Sequence, residues 1–211
     1  MIAVIDYDAG NLTSVSRALS HIHVENVITN DIKLIKSAQR IIFPGVGAAG
    51  SAMKSLIRLG LDTAIRQAVE SGKPVLGICL GTQIILQESR ENLAKCLGII
   101  DGSVRAFSES FQSKQIKGLK IPHMGWNRMA LKIDHPVFAG LKENDEFYFV
   151  HGYYPFPDNP GQVIAVTDYG IEFPSVIGMN NLVATQFHPE KSGNPGLTIL
   201  KNFSKWEPHV K

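Results

Sequence analysis

Up to Cys79 short apolar runs alternate with residues at helical spacing. "IAVIDY" (Ile2 to Tyr7) leads through a polar loop, Asp8 to Asn11, to Leu12, Val15 and Leu19. "VIT" (Val27 to Thr29) and "RIIFPG" (Arg40 to Gly45) are further short runs, helical stretches fill Ala52 to Ser71, and "PVLGI" (Pro74 to Ile78) ends the series. Strand and helix alternating through short connections predict a parallel sheet covered on both faces. The second half is strand-rich: "EFYFVHGYY", "VIAVTDYG", "SVIGMN" and "LVATQFHPE" are separated by turn residues, and "LTILKNFSKW" (Leu197 to Trp206) reads as an amphipathic helix. The expected fold is α/β, a central mixed but mostly parallel sheet flanked by helices. No repeat, linker or low-complexity segment interrupts it, so residues 1–211 are expected to form a single domain.

Composition removes several classes of function. A formal net charge of +2, with no lysine- and arginine-rich stripe, gives nucleic acid no electrostatic footprint. No 18-residue apolar stretch is present to span a membrane, and "MIAVIDYDAGN" lacks the basic start of a secretory leader. Two cysteines, Cys79 and Cys96, allow one disulfide at most, and reduced thiols in a cytoplasmic protein are the expectation.

"GICLGTQ" (Gly77 to Gln83) places Cys79 where an apolar strand gives way to "TQIILQES", a stretch with helical spacing. Such an elbow lifts its central side chain above the carboxyl edge of the sheet, and Gly77 and Gly81 let the turn pack closely. It is the cysteine counterpart of the G-x-S-x-G nucleophile elbow. The N–H groups opening the helix favour thiolate, and the backbone N–H of Leu80 faces an oxyanion formed beside the sulfur. A lone cysteine is equally a small core residue, so a base has to decide. "QFHPEKS" (Gln186 to Ser192) supplies one: His188 ends an apolar strand, and Glu190, two residues on, projects to the same side of extended chain. A carboxylate there fixes the imidazole tautomer and leaves the other ring nitrogen for the thiol. His21 and His23 have no third ligand near them in sequence, so no metal is expected; Cys96 reads as a buried filler.

"PGVGAAG" satisfies G-x-G-x-x-G through Gly45, Gly47 and Gly50, which raises a dinucleotide-binding dehydrogenase as a rival. That fingerprint needs an acidic residue at the end of the next strand. Here the next strand ends in Cys79, and the rival fails. The loop can instead turn a peptide N–H, from Val46 or Gly47, toward the cysteine as a second oxyanion donor, glycine allowing the dihedrals.

"PGVG", "GICLGTQ", "PHMGWN", "FYFVHGYY" and "QFHPEKSG", in that order and over nearly the whole chain, resemble class I (triad-type) glutamine amidotransferases. Within that class "PHMGWN" is similar to the glutaminase subunits that feed a cyclase in histidine biosynthesis. The resemblance implies a Cys79–His188–Glu190 triad that splits glutamine into glutamate and ammonia without a cofactor. Val46, Gly47 and Leu80 would form the oxyanion hole, and Gln83, Gly152 and Tyr153 would hold glutamine. The implied partner is a separate (β/α)8-barrel cyclase subunit, since 211 residues leave no room for that barrel. Exposed loops at Asp8–Asn11 and Pro122–Asn127 would dock it, with Asn11, Met124 and Trp126 at the interface. Thr82 stands where that family usually has methionine, Gly152 where it has serine, and Ala184 where it has glycine. A paralogue serving another synthase, and a stand-alone cysteine hydrolase, are the alternatives.

Overall fold

The apolar runs of the first half pair in parallel, as their alternation with helices requires. The computed structural model describes residues 1–8 and 10–208. Its first half runs β1 (Ile2–Ile5), α1 (Leu12–His21), β2 (Asn26–Thr29), α2 (Ile32–Ser37), β3 (Arg40–Gly45), α3 (Ala49–Leu59), α4 (Leu61–Glu70), β4 (Val75–Cys79) and α5 (Leu80–Ile84). Two short strands follow, β5 (Glu88–Ser89) and β6 (Ala94–Lys95), then β7 (Gly102–Ala106), α6 (Phe107–Ser113), β8 (His123–Arg128) and β9 (Ala130–Leu131). The chain closes with β10 (Glu146–His151), β11 (Tyr153–Pro157), β12 (Val163–Asp168), β13 (Glu172–Met179), β14 (Leu182–Thr185) and α7 (Gly193–Lys205).

The main sheet has eight strands in the order β2-β1-β3-β4-β14-β13-β12-β9. Pairing is parallel from β2 to β14 and antiparallel from there to β9. Alternate residues of one strand feed opposite layers: Ile2 and Val4 pack with Val15 and Leu19 of α1 and Leu200 and Phe203 of α7. Ala3 and Ile5 pack with Ile35, Leu56, Leu61 and Ile65 of α2 to α4. Both faces being covered is why β1 is apolar at every position. Strand β14 enters beside β4, with Thr185 opposite Ile78, so the chain after β14 emerges next to Cys79.

Three expectations are corrected. The elbow helix does not run through "TQIILQES"; it stops at Ile84. Residues 97–100 return beneath it and donate their N–H groups to the carbonyls of Ile84, Ile85 and Leu86, which a longer helix would have kept for itself. "EFYFVHGYY" divides at Gly152: β10 pairs with β8, whereas β11 pairs with β7 in a separate sheet. Pro122–Asn127 is largely strand β8 rather than loop, in antiparallel register with β10. No helix among the described residues is long and apolar enough to cross a membrane.

Candidate active site

Cys79 sits at the top of β4 with φ 53° and ψ −104°, outside the regions a non-glycine residue adopts freely. Its neighbours leave no room for a different elbow. A Cβ on Gly81 would lie 1.9 Å from the carbonyl oxygen of Phe43, and one on Gly77 would lie 2.9 Å from the Cβ of Ala184. The Ala184 methyl therefore occupies space that only glycine at 77 leaves free. Thr82 also fits its position: its hydroxyl donates to the carbonyl of Thr185, tying α5 to β14.

His188 follows β14 and is brought level with Cys79. Glu190 reaches it by a route other than the expected extended chain, because Pro189–Lys191 form a short 3-10 turn. Within that turn His188 Nδ1 lies 2.7 Å from Glu190 Oε1. Both side chains are buried, and Asn11 donates its side-chain amide to the same carboxylate oxygen. The ring's other nitrogen, Nε2, faces Cys79 but makes no hydrogen bond of ordinary length to a described atom. Burial by itself would lower the pKa of His188. Attraction of the protonated ring to Cys79 and to the hydrogen-bonded Glu190 carboxylate outweighs that cost and raises it to about 10. The surroundings of the ring therefore favour its protonated form.

A cleft of about 350 Å3 opens on this cysteine. Val46, Gly47, Cys79, Leu80 and Gln83 line it together with His151, Gly152 and Tyr153. Gly47 holds φ 101°, a value that favours glycine, and an added Cβ there would meet nothing. Of the residues expected from sequence to act on glutamine, Val46, Gly47, Cys79, Leu80, Gln83, Gly152 and Tyr153 line this cleft, whereas His188 and Glu190 are not among its lining residues. Among the three expected at an interface, Met124 and Trp126 are 63% and 55% exposed, which excludes core filling as their role. Asn11 is half-buried, with its amide committed to Glu190. Ala9, in the loop expected to dock, lies outside the described residues.

Sequence reasoning missed several groups. Glu91 places a carboxylate in the cleft wall, anchored by the N–H of Ala49 at 2.7 Å. Gln186 directs its amide nitrogen at the sulfur of Cys79 from 3.7 Å. Tyr7 is fully buried against the loop, so that a Cβ on Gly45 would fall 1.8 Å from its hydroxyl. Gln186 opens "QFHPEKS", whereas Glu91 carries no local signal. Cys96 is only half-buried, and burial with Glu88 and Glu91 nearby pushes its thiol up to about 11.

The family model for glutamine amidotransferase class-I matches residues 3–206. The chain belongs to the class-I glutamine amidotransferases. This class-I domain is 48% identical over 206 residues to the imidazole glycerol phosphate synthase subunit HisH of Nitratidesulfovibrio vulgaris (strain DP4), covering 98% of this chain and 96% of that one. The protein of the same name from Pseudomonas putida is 43% identical over 208 residues, covering 98% and 97%. Among solved structures, PurLQS from Thermotoga maritima superposes with a TM-score of 0.71 at 18% identity, covering 97% of each chain. The crystal structure of another glutamine amidotransferase gives 0.72 at 18%, covering 96% of this chain and 99% of that one. At such identities the structures show a shared fold only.

Proposed function

We propose that this chain is the glutaminase subunit of an imidazole glycerol phosphate synthase, hydrolysing glutamine and passing the ammonia to a separate (β/α)8-barrel cyclase subunit in the cytoplasm. The observation that carries the reading is identity of 48% with a subunit of that name over nearly the full length of both chains. The cleft supplies chemistry to match.

The Cys79 sulfur attacks the side-chain amide carbon of glutamine, and the carbonyl electrons move onto oxygen. Backbone N–H groups of Leu80 and of the Val46–Gly47 segment stabilise that oxyanion. Collapse of the intermediate breaks the C–N bond, and His188 gives its proton to the departing ammonia, leaving a glutamyl thioester on Cys79. His188, now neutral, takes a proton from water as it adds to the thioester. Collapse breaks the C–S bond and releases glutamate, with sulfur and imidazolium restored. Glu190 holds the ring with Nε2 toward the reacting atoms throughout. Gln83, Gly152 and Tyr153 hold the substrate, and the Glu91 carboxylate offers a counter-charge to its α-ammonium. Docking makes the transfer efficient, because ammonia released to water near neutral pH is mostly protonated and only the small neutral fraction is a nucleophile, which a high concentration of ammonium salt can supply.

The test is glutamate release by the purified chain, alone and with its barrel subunit bearing ligand. If docking turns the second oxyanion donor into place, the isolated chain is slower by about 100- to 1000-fold, the cost of one missing donor. Full turnover by the chain alone would favour a stand-alone hydrolase.

A further inference from the structure

Six hydrogen bonds, end to end, join the exposed strand β8 to the sulfur of Cys79. At the outer end Asn127 Nδ2 lies 3.3 Å from His123 Nε2, and the same amide nitrogen donates to the carbonyl of Asp168 at 2.9 Å. His123 Nδ1 is 3.0 Å from His151 Nε2, and His151 Nδ1 is 2.7 Å from the carbonyl oxygen of Tyr153. Gln83 Nε2 donates both to that carbonyl and to Gln186 Oε1, each at 3.1 Å. Gln186 Nε2 then points at Cys79 Sγ.

The polarity of the network is fixed by its carbonyls. A carbonyl only accepts, so His151 carries its proton on Nδ1 and, as a neutral ring, offers a lone pair at Nε2. His123 must then donate from Nδ1 and accept at Nε2, which matches the amide nitrogen that Asp168 fixes at Asn127. Burial keeps both rings neutral, lowering His123 to about 4 and His151 to about 3. The rings have little freedom to turn: His123 stacks at 4.0 Å on Tyr169 and 4.8 Å on Phe149. On β8, His123 points inward while Met124 and Trp126 stand exposed.

We infer that this network is a positioning device that ties the cysteine sulfur and the Gly152–Tyr153 wall of the cleft to the outward-facing strand β8, with His123 and Gln186 as its positioning residues. Its use in the reaction rests on the glutaminase reading. Each member satisfies the next, so removing one link frees groups on both sides of the gap. Phenylalanine at 123 keeps the stacking but leaves His151 Nε2 without a donor. Asparagine at 123 returns a donor near the Nδ1 position.

Two measurements decide it. Nitrogen-resolved NMR of the wild-type chain near neutral pH is expected to show both His123 and His151 as Nδ1–H tautomers; an Nε2–H tautomer at either ring overturns the network. The second is the rate at which iodoacetamide alkylates Cys79 in folded variants. His123→Phe and Gln186→Leu should each slow it about tenfold, and the double variant should be no slower than the slower single one, as for linked rather than independent sites. His123→Asn should recover most of the rate. Wild-type alkylation in His123→Phe, or losses that multiply in the double variant, would overturn the proposal. Alkylation needs no glutamine, so a wild-type complex unable to hydrolyse glutamine would count against the glutaminase reading and leave this result standing.

Discussion

At His188 burial and partnership pull in opposite directions, and partnership prevails. A folded-state pKa raised from 6.5 to about 10 means that the stabilisation is complete below 6.5 and fades as pH climbs toward 10. His188→Gln, which does not titrate, should therefore lose this part of the slope in unfolding free energy between those limits. Denaturant melts across the range test it, and parallel slopes for both proteins would contradict the ion-pair description. Gly152 raises a separate question, because a Cβ there would meet only Ile121 Cγ2, at 3.8 Å. Nothing steric requires glycine, so Gly152→Ser should fold with an unchanged melting temperature and lower the KM for glutamine by adding a hydroxyl to the cleft wall. Cys79, His188 and Glu190 were legible in sequence because their spacing along one strand end or one elbow is itself the signal. Glu91 and His123 were not. Glu91 lies in no motif, and His123, although part of "PHMGWN", reaches the site only through His151 on the neighbouring strand, a pairing that the motif does not record.

Among the elements, the elbow was read correctly and the helix behind it was not. Apolar residues at 84 to 86 fit a helical face and also fit a turn buried under a returning chain. The choice is made by residues 97–100, which capture the carbonyls. A similar ambiguity affected "PHMGWN", where glycine, proline and asparagine suggest a loop. Pairing with β10 makes it a strand whose outward side chains remain exposed. The tight contact between Gly81 and Phe43 yields a prediction at this scale. Gly81→Ala places a methyl 1.9 Å from a backbone oxygen that no side-chain rotation can move. The expected loss is about 3 kcal/mol or more, beyond ordinary overpacking, seen as a lower urea midpoint. A wild-type midpoint would mean that the elbow can shift.

For the molecule as a whole, the alternation of the first half foretold the parallel sheet, while the attachment of β14 beside β4 was not visible in it. That attachment brings His188 to Cys79. It depends on crossing more than a hundred residues, a distance over which sequence periodicity carries no information. Met124 and Trp126 stand exposed on β8 and are the proposed docking surface for the barrel subunit. Trp126→Ala should weaken binding of the barrel subunit by about 2 kcal/mol or more, as interface anchors do, with the melting temperature of the isolated chain unchanged. Titration calorimetry of the two subunits measures it, and unaltered affinity would move the interface elsewhere.

The central claim is that Cys79 serves only to release ammonia for a reaction carried out on another subunit. The most direct measurement is synthase turnover of the assembled complex carrying Cys79→Ala, with glutamine or with ammonium salt as nitrogen source and assembly verified by size. The account predicts that turnover with glutamine is abolished and turnover with ammonium salt is retained. Continued turnover with glutamine would make Cys79 a packing residue and contradict the account.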